Sequence, residues 1–149
     1  MSDQNAIEIL LVEDNPRDAE LTIRALKKHN LAHKLFHVED GVQALDYLFA
    51  RGKFAERDAK DMPKVILLDL KLPRINGLEV LRALKADERT MFIPIVIVTS
   101  SAEDPDVRTA YQLGANSYVI KPVQFDSFID AMTKLGIYWL MVNHPTNKS

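Results

Sequence analysis

Five residues have side chains that together could hold a metal ion and handle a charged group. Glu13 and Asp14 are adjacent acids, Asp69 is a third acid, Thr99 offers a hydroxyl, and Lys121 offers an ammonium. Each of them closely follows a short apolar run. A single polar residue in such a place is usually a solvated loop residue, so it is their joint occurrence that indicates a site.

The three acids make a specific chemical prediction. Three carboxylates around one crevice repel one another, so at least one would have a raised pKa unless a cation compensates. A hard divalent cation is the usual compensation, and Mg²⁺ fits best because the ligands are all oxygens. We therefore expect a Mg²⁺ site formed by Glu13, Asp14 and Asp69.

The elements that must position these residues alternate between strands and helices. Apolar runs predict strands at residues 7–12, 35–38, 65–68, 95–98 and 118–120. Capping signals and helical periodicity predict helices that begin at Asn15-Pro16, Asp40-Gly41, Leu78, Asp104-Pro105 and Phe125. Residues 51–64 are charged and mixed, with Pro63 as a breaker, and are interpreted as a loop or a helix extension.

This alternation predicts an α/β fold with a doubly wound, five-stranded parallel sheet of flavodoxin-like (βα)5 layout. In such sheets a ligand binds at the carboxyl ends of the strands, where the strand order reverses. The five polar residues all follow strands, so we expect them to converge at that edge.

Composition restricts the function further. The chain has 149 residues, 19 Lys and Arg against 21 Asp and Glu, a net charge of -2 and no cysteine. Direct nucleic-acid binding is disfavoured without a basic surplus, and thiolate chemistry is excluded. The polar start lacks the features of a secretory signal, and no apolar run approaches the ~20 residues of a membrane span. We expect a single cytoplasmic domain over residues 1–149, without a membrane partner or an output domain.

Nucleotide and flavin sites are not supported by the same residues. A flavin phosphate needs a first loop rich in glycine and hydroxyls, whereas residues 13–16 here read Glu-Asp-Asn-Pro and repel phosphate. Neither a G-x-G-x-x-G nor a G-x-x-x-x-G-K-[ST] motif is present.

The motif set resembles the receiver domains of two-component response regulators, over about residues 7–135. The matching segments are Val12-Glu13-Asp14, Leu67-Leu68-Asp69, Pro73 with Gly77, Val98-Thr99-Ser100, and Lys121-Pro122. Asp69 precedes Thr99 by 30 residues, and Thr99 precedes Lys121 by 22, which is typical of receivers. Three further features resemble the stand-alone receivers that serve bacterial and cyanobacterial phytochrome kinases: the insertion at 51–64, the helix start at residues 15–19 and the tail Tyr138-Trp139-Leu140.

The resemblance implies a role for each residue. Asp69 would accept a phosphoryl group from a histidine kinase, with Mg²⁺ held by Asp14, Asp69, Glu13 through water, and the backbone carbonyl of Lys71. Lys121 and Thr99 would bind the phosphoryl oxygens. Tyr118 would be the switch aromatic that alters the surface of the fourth helix, fifth strand and fifth helix. Such a protein is a signalling phosphoacceptor that catalyses only its own phosphorylation and dephosphorylation.

Two other classes of function remain open at this point. One is a binding module that keeps the fold without phosphorylation, against which the intact acids and Lys121 speak. The other is a phosphatase of the haloacid dehalogenase type, which needs an Asp-x-Asp motif where this chain has Asp69-Leu70-Lys71.

The C-terminal segment Leu135 to Val142 is apolar almost all round. It predicts a helical extension from about 136 to 142 that would leave an exposed apolar patch, which monomeric proteins rarely tolerate. We expect a homodimer through the fourth helix, fifth strand and fifth helix, with Tyr138 and Trp139 as anchors. The alternative is that the tail folds back onto its own domain.

Overall fold

Five parallel strands form one sheet in the order β2-β1-β3-β4-β5. The computed structural model describes residues 8–29 and 34–136. The strands are β1 (Ile9–Val12), β2 (Leu35–Val38), β3 (Val65–Asp69), β4 (Ile95–Thr99) and β5 (Ser117–Ile120). The helices are α1 (Pro16–Lys27), α2 (Gly41–Leu48), α3 (Gly77–Lys85), α4 (Pro105–Gln112) and α5 (Phe125–Lys134), with a short 3-10 helix at Gly52–Phe54. The predicted fold class and the order of the elements are confirmed.

Alternate residues of the central strands supply two separate apolar cores, one on each face of the sheet. Leu10 and Leu68 belong to the core that includes α2 and α3, whereas Leu11 and Leu67 belong to the core that includes α1 and α5. Every residue of β1, β3 and β4 is buried. Burial on both faces explains why these strands have continuous apolar sequences and lack the alternation of a half-exposed strand.

The strand order reverses between β1 and β3. From β1 the chain goes to β2 on one side and then crosses to β3 on the other, so β1 and β3 are paired neighbours with opposite onward connections. The register aligns Val12 with Leu68 and Asp69 with Val98. The ends of β1, β3 and β4 therefore meet at the edge where a ligand is expected.

Small departures from the predicted boundaries concern the site directly. Asp69 and Thr99 are the last residues of β3 and β4. Sheet hydrogen bonding thus extends to the two residues that were predicted to follow these strands, and it fixes their backbone. The predicted tail helix at 136–142, with Tyr138 and Trp139, lies outside the described residues apart from Gly136.

Gly77 allows α3 to begin directly against the end of β3. A Cβ at this position would lie 2.4 Å from the carbonyl oxygen of Asp69 and 2.5 Å from the Cα of Leu70, distances that real Cβ atoms do not show. The Gly77 N–H also donates to the Leu70 carbonyl at 2.9 Å. A side chain here would push the loop after Asp69 away from the site, so Gly77 has a positional role.

Candidate functional site

A cavity of about 210 Å³ opens at the carboxyl edge of the sheet. Its lining includes six of the residues singled out from the sequence: Glu13, Asp14, Asp69, Lys71, Thr99 and Lys121. They come from the ends of four strands, and residues up to 108 positions apart in the chain are in contact there. Tyr118 is the one described candidate that does not line this cavity.

Lys121 is the central cation of the site. Its Nζ lies 2.7 Å from Asp69 Oδ2, 3.0 Å from Glu13 Oε1 and 3.2 Å from Asp18 Oδ2. Burial acts to lower the pKa of Lys121, but the carboxylates of Asp69 and Glu13 outweigh it and raise the pKa above its usual value. Lys121 is therefore a fixed positive charge at every physiological pH.

Glu13 is buried with little water to solvate it. Burial, and next the adjacent carboxyl group of Asp69, raise the pKa of Glu13 to about 7, although Lys121 and the Asn15 N–H act in the opposite direction. The carbonyl of Glu13 accepts a hydrogen bond from Nε2 of His37 on β2 at 2.7 Å. This acid therefore carries the electrostatic conflict that the sequence predicted for one member of the group.

Carboxylate oxygens of Glu13, Asp14 and Asp69 lie within 4.8 Å of one another. Asp14 is exposed, whereas the other two are buried, so the cluster has an open side toward solvent. Three carboxylates with an open side suit a hard divalent cation that keeps part of its water shell. The donor set thus fits a divalent metal ion.

The remaining candidates are close to the cavity but differ in what they contact. The Lys71 backbone N–H donates to Asp69 Oδ1 at 3.0 Å, while its exposed ammonium lies 3.7 Å from Asp104. The Thr99 hydroxyl donates to the Ser101 carbonyl at 3.2 Å. Tyr118 packs edge-on against Tyr111, with ring centroids 6.3 Å apart, beside a neighbouring groove on α4.

Two acids of the site were not identified from the sequence as site residues. Asp18 stands in the first turn of α1 and reaches Lys121, and Asp104 caps α4 and lines the cavity beside Lys71. Both are acidic residues at helix starts, which sequence reasoning assigns to capping. The sequence did contain one indication that these acids belong to the site: both helices begin at the edge of the sheet where the site lies.

The parallel strands bring three acids and a lysine together at the switch point, as the resemblance to receiver domains predicted. Comparison with known proteins agrees: residues 9–133 match the family described as the response regulator receiver domain. The chain belongs to this family, and it is a response regulator of the phosphorelay type.

Among curated relatives, the chain is 40% identical over 132 residues to the probable methanogenesis regulatory protein FilR2 of Methanothrix harundinacea, covering 89% of this chain and 83% of that protein. Among solved structures, it is similar to the bacteriophytochrome response regulator RtBRR, with 49% identity, a TM-score of 0.83, and coverage of 95% of this chain and 84% of that one.

Two further solved structures are of cyanobacterial response regulators. The Mn²⁺-bound form of response regulator Rcp1 is 33% identical, with a TM-score of 0.72 and coverage of 94% and 99%. The phosphorylated cyanobacterial phytochrome response regulator RcpA is 34% identical, with a TM-score of 0.71 and the same coverage. The predicted resemblance to receivers, and to those of phytochrome systems, is thereby confirmed. Within the described ranges, none of the helices has the length and apolarity needed to span a bilayer.

Proposed function

We propose that Asp69 accepts the phosphoryl group from a phosphohistidine of a sensor kinase. The observation that carries the proposal is the 2.7 Å contact between Lys121 Nζ and Asp69 Oδ2 at the wall of an open cavity. A carboxylate oxygen of Asp69 forms the new bond to phosphorus. The phosphorus–nitrogen bond breaks, and its electron pair stays on the imidazole. A carboxylate attacks as an anion, so this step needs no base to remove a proton.

The protein's contribution to this step is alignment and charge compensation. The Lys71 N–H holds one oxygen of Asp69 in place, and Lys121 lies where it can pair with an oxygen of the transferred group. We propose that Mg²⁺ is the divalent ion, held by Asp14, by Asp69, by Glu13 through water and by the carbonyl of Lys71. When bound, Mg²⁺ would neutralise charge on the phosphoryl oxygens. In this proposal the protein catalyses only its own phosphorylation and dephosphorylation.

Labelling with acetyl phosphate tests the proposal. The wild-type protein should gain the mass of one phosphoryl group in Mg²⁺ and none in EDTA, and Asp69→Asn should gain none. Asp87→Asn is the matched control, because it makes the same chemical change at a partly exposed acid in the α3–β4 loop, at the opposite edge of the sheet. Full labelling of Asp69→Asn, or equal labelling in EDTA, contradicts the assignment.

Phosphorylation would be transmitted to partners through α4, β5 and α5. Thr99 is the last residue of β4 and pairs with Ile120 of β5, so a move of its hydroxyl toward a phosphoryl group acts directly beside Tyr118. Tyr111 and Ile120 are partly exposed on the same surface. We expect Tyr118 to turn inward and change this surface. We propose that the protein acts in the cytoplasm. The similarity to response regulators of phytochrome systems supports a phytochrome as the partner kinase.

We also propose that the chain forms a homodimer through the same surface. The apolar sequence from Leu135 to Val142 supports this, with Tyr138 and Trp139 as the anchors. Light scattering at tens of micromolar protein should show a dimer for the wild type and a larger monomer fraction for Trp139→Ala. A wild-type protein that stays monomeric with and without phosphorylation contradicts the proposal.

A further inference from the structure

Lys121 has no spare hydrogen-bond donor in the unphosphorylated protein. An ammonium carries three N–H groups, and three carboxylates surround it at 2.7, 3.0 and 3.2 Å: those of Asp69, Glu13 and Asp18. A phosphoryl oxygen can therefore pair with Lys121 only if one of these acids loses its hydrogen bond or shares it. Which acid gives way decides how readily the phosphoryl group is bound.

Burial identifies Asp18 as the acid that gives way. Its side chain is 35% exposed, against 2% for Glu13 and 6% for Asp69, and its contact with Lys121 is the longest of the three. A buried carboxylate left without a partner has a large desolvation penalty, whereas a partly exposed one is rehydrated. Glu13 and Asp69 also share the metal cluster, of which Asp18 is not a member.

The local backbone keeps Asp18 in this position. The Asn15 side chain caps α1 by accepting a hydrogen bond from the Asp18 N–H at 3.0 Å, and Pro16 begins the helix. The backbone of Asp18 therefore cannot follow Lys121 when the ammonium moves toward a phosphoryl group, and the side chain of Asp18 is short. The released carboxylate would remain at the cavity wall as a negative charge close to the phosphoryl oxygens.

We infer that Asp18 is a positioning residue that holds Lys121 in the unphosphorylated state and competes with the phosphoryl group for it. This inference rests on the proposed role of Asp69 and Lys121. Asp18 thereby lowers both the rate of phosphoryl uptake and the stability of the phosphorylated form. Removing its charge while keeping its shape should make the site a better phosphoryl binder, which is the opposite of what damage to the fold would do.

The test compares Asp18→Asn with the wild type and with Glu20→Gln. Glu20 is two positions further along α1, is exposed, and pairs with Arg24 at 2.9 Å, so its variant makes the same charge change on the same helix away from the cavity. Two quantities are measured in Mg²⁺: the rate of labelling by acetyl phosphate, and the affinity for beryllofluoride, which imitates a bound phosphoryl group.

Asp18→Asn should increase both quantities by about threefold to tenfold, as expected for the loss of one partly exposed charge pair. Glu20→Gln should stay within about twofold of the wild type, because its charge is screened by solvent. Asp18→Glu keeps the charge and should not show the increase. Thermal unfolding of each variant verifies that the fold is retained.

The outcomes separate this inference from the proposed function. Suppose that the wild type is labelled, but Asp18→Asn is labelled no faster and binds beryllofluoride no more tightly. The inference about Asp18 is then wrong, and the proposed function of Asp69 stands. An equal increase in Glu20→Gln also overturns it, since the effect is then one of net charge. A wild type that takes up no phosphoryl group contradicts the proposed function and the inference together.

Discussion

Two partly buried cations, Lys121 and Arg57, serve different regions of the molecule in different ways. Lys121 is surrounded by carboxylates at the carboxyl edge of the sheet. Arg57 belongs to the segment between α2 and β3, where its guanidinium donates to the backbone carbonyls of Tyr47 and Asp61 and lies 4.0 Å from the centre of the Tyr47 ring. Both positive charges are compensated, but by different kinds of partner.

The partners of Arg57 are permanent. Backbone carbonyls do not titrate, and burial raises the pKa of Tyr47, so its phenol stays neutral at physiological pH. The planar guanidinium matches the carbonyls and the ring at once. Phe36 stacks on Tyr47 with centroids 4.6 Å apart, and Phe54 packs edge-on against both rings. The partners of Lys121 are carboxylates: those of Glu13 and Asp69 belong to the metal cluster, and that of Asp18 can be displaced by an incoming anion. The contacts of Arg57 therefore stabilise the fold, whereas those of Lys121 can be exchanged for other partners.

The largest effect that would test this contrast is expected for Lys121→Gln. Removing a positioned charge that stabilises the transferred group should slow phosphoryl uptake by about a hundredfold or more. Acetyl-phosphate labelling under single-turnover conditions measures the rate, and circular dichroism verifies that the variant is folded. A rate within about tenfold of the wild type would mean that Lys121 is structural, like Arg57.

Arg57→Ala should lower the stability of the fold and leave phosphoryl uptake unchanged, the reverse of what is expected for Lys121→Gln. The loss of two hydrogen bonds and a cation–π contact should lower the free energy of unfolding by about 2 kcal/mol. Arg57→Lys should recover little of it, because an ammonium cannot reproduce the planar geometry. Urea denaturation gives the stability, and labelling by acetyl phosphate should remain at the wild-type rate. A large loss of labelling in a folded Arg57→Ala protein would remove the distinction between the two regions.

Metal binding should depend on pH through Glu13, whose pKa is raised to about 7 from 4.5. Since the folded metal-free protein holds this proton more tightly than the unfolded chain, the free energy of unfolding should fall as pH rises from 4.5 through about 7. A metal ion must displace the proton. Mg²⁺ affinity should therefore fall about tenfold per pH unit below about 7 and level off above it.

Titration of Mg²⁺ between pH 5.5 and 8, in about half-unit steps, measures this dependence. Glu13→Gln should bind the metal more weakly and lose most of the slope, because the amide has no proton to displace. An unchanged slope in that variant would assign the proton to another group.

The smallest expected effect concerns Lys71, whose exposed side chain pairs with Asp104 beside the cavity. Lys71→Ala should shorten the lifetime of the aspartyl phosphate by about twofold to fivefold, because a long cation no longer covers the path of the attacking water. The decay is followed after removal of acetyl phosphate, with the exposed Lys60→Ala as a matched control. Identical decay in Lys71→Ala and the wild type would count against this role.

The sequence by itself determined the fold and the main candidates for the site. Continuous apolar runs can be satisfied only by strands buried on both faces, and Pro16, Asp104 and Gly77 mark local backbone geometry that these residue types impose. Glu13, Asp14, Asp69, Thr99 and Lys121 could then be placed at one edge, because parallel strands bring their carboxyl ends together.

Only the tertiary structure decided which partners these residues have. The contact of Asp18 with Lys121 joins residues 103 positions apart, and no local pattern distinguishes it from an ordinary helix-start acid. The same holds for residues 51–64, where the contacts of Arg57 with Tyr47 depend on how the segment folds over α2. Local sequence determines backbone conformation over a few residues, whereas the pairing of charges depends on distances that exist only once the sheet and helices have packed.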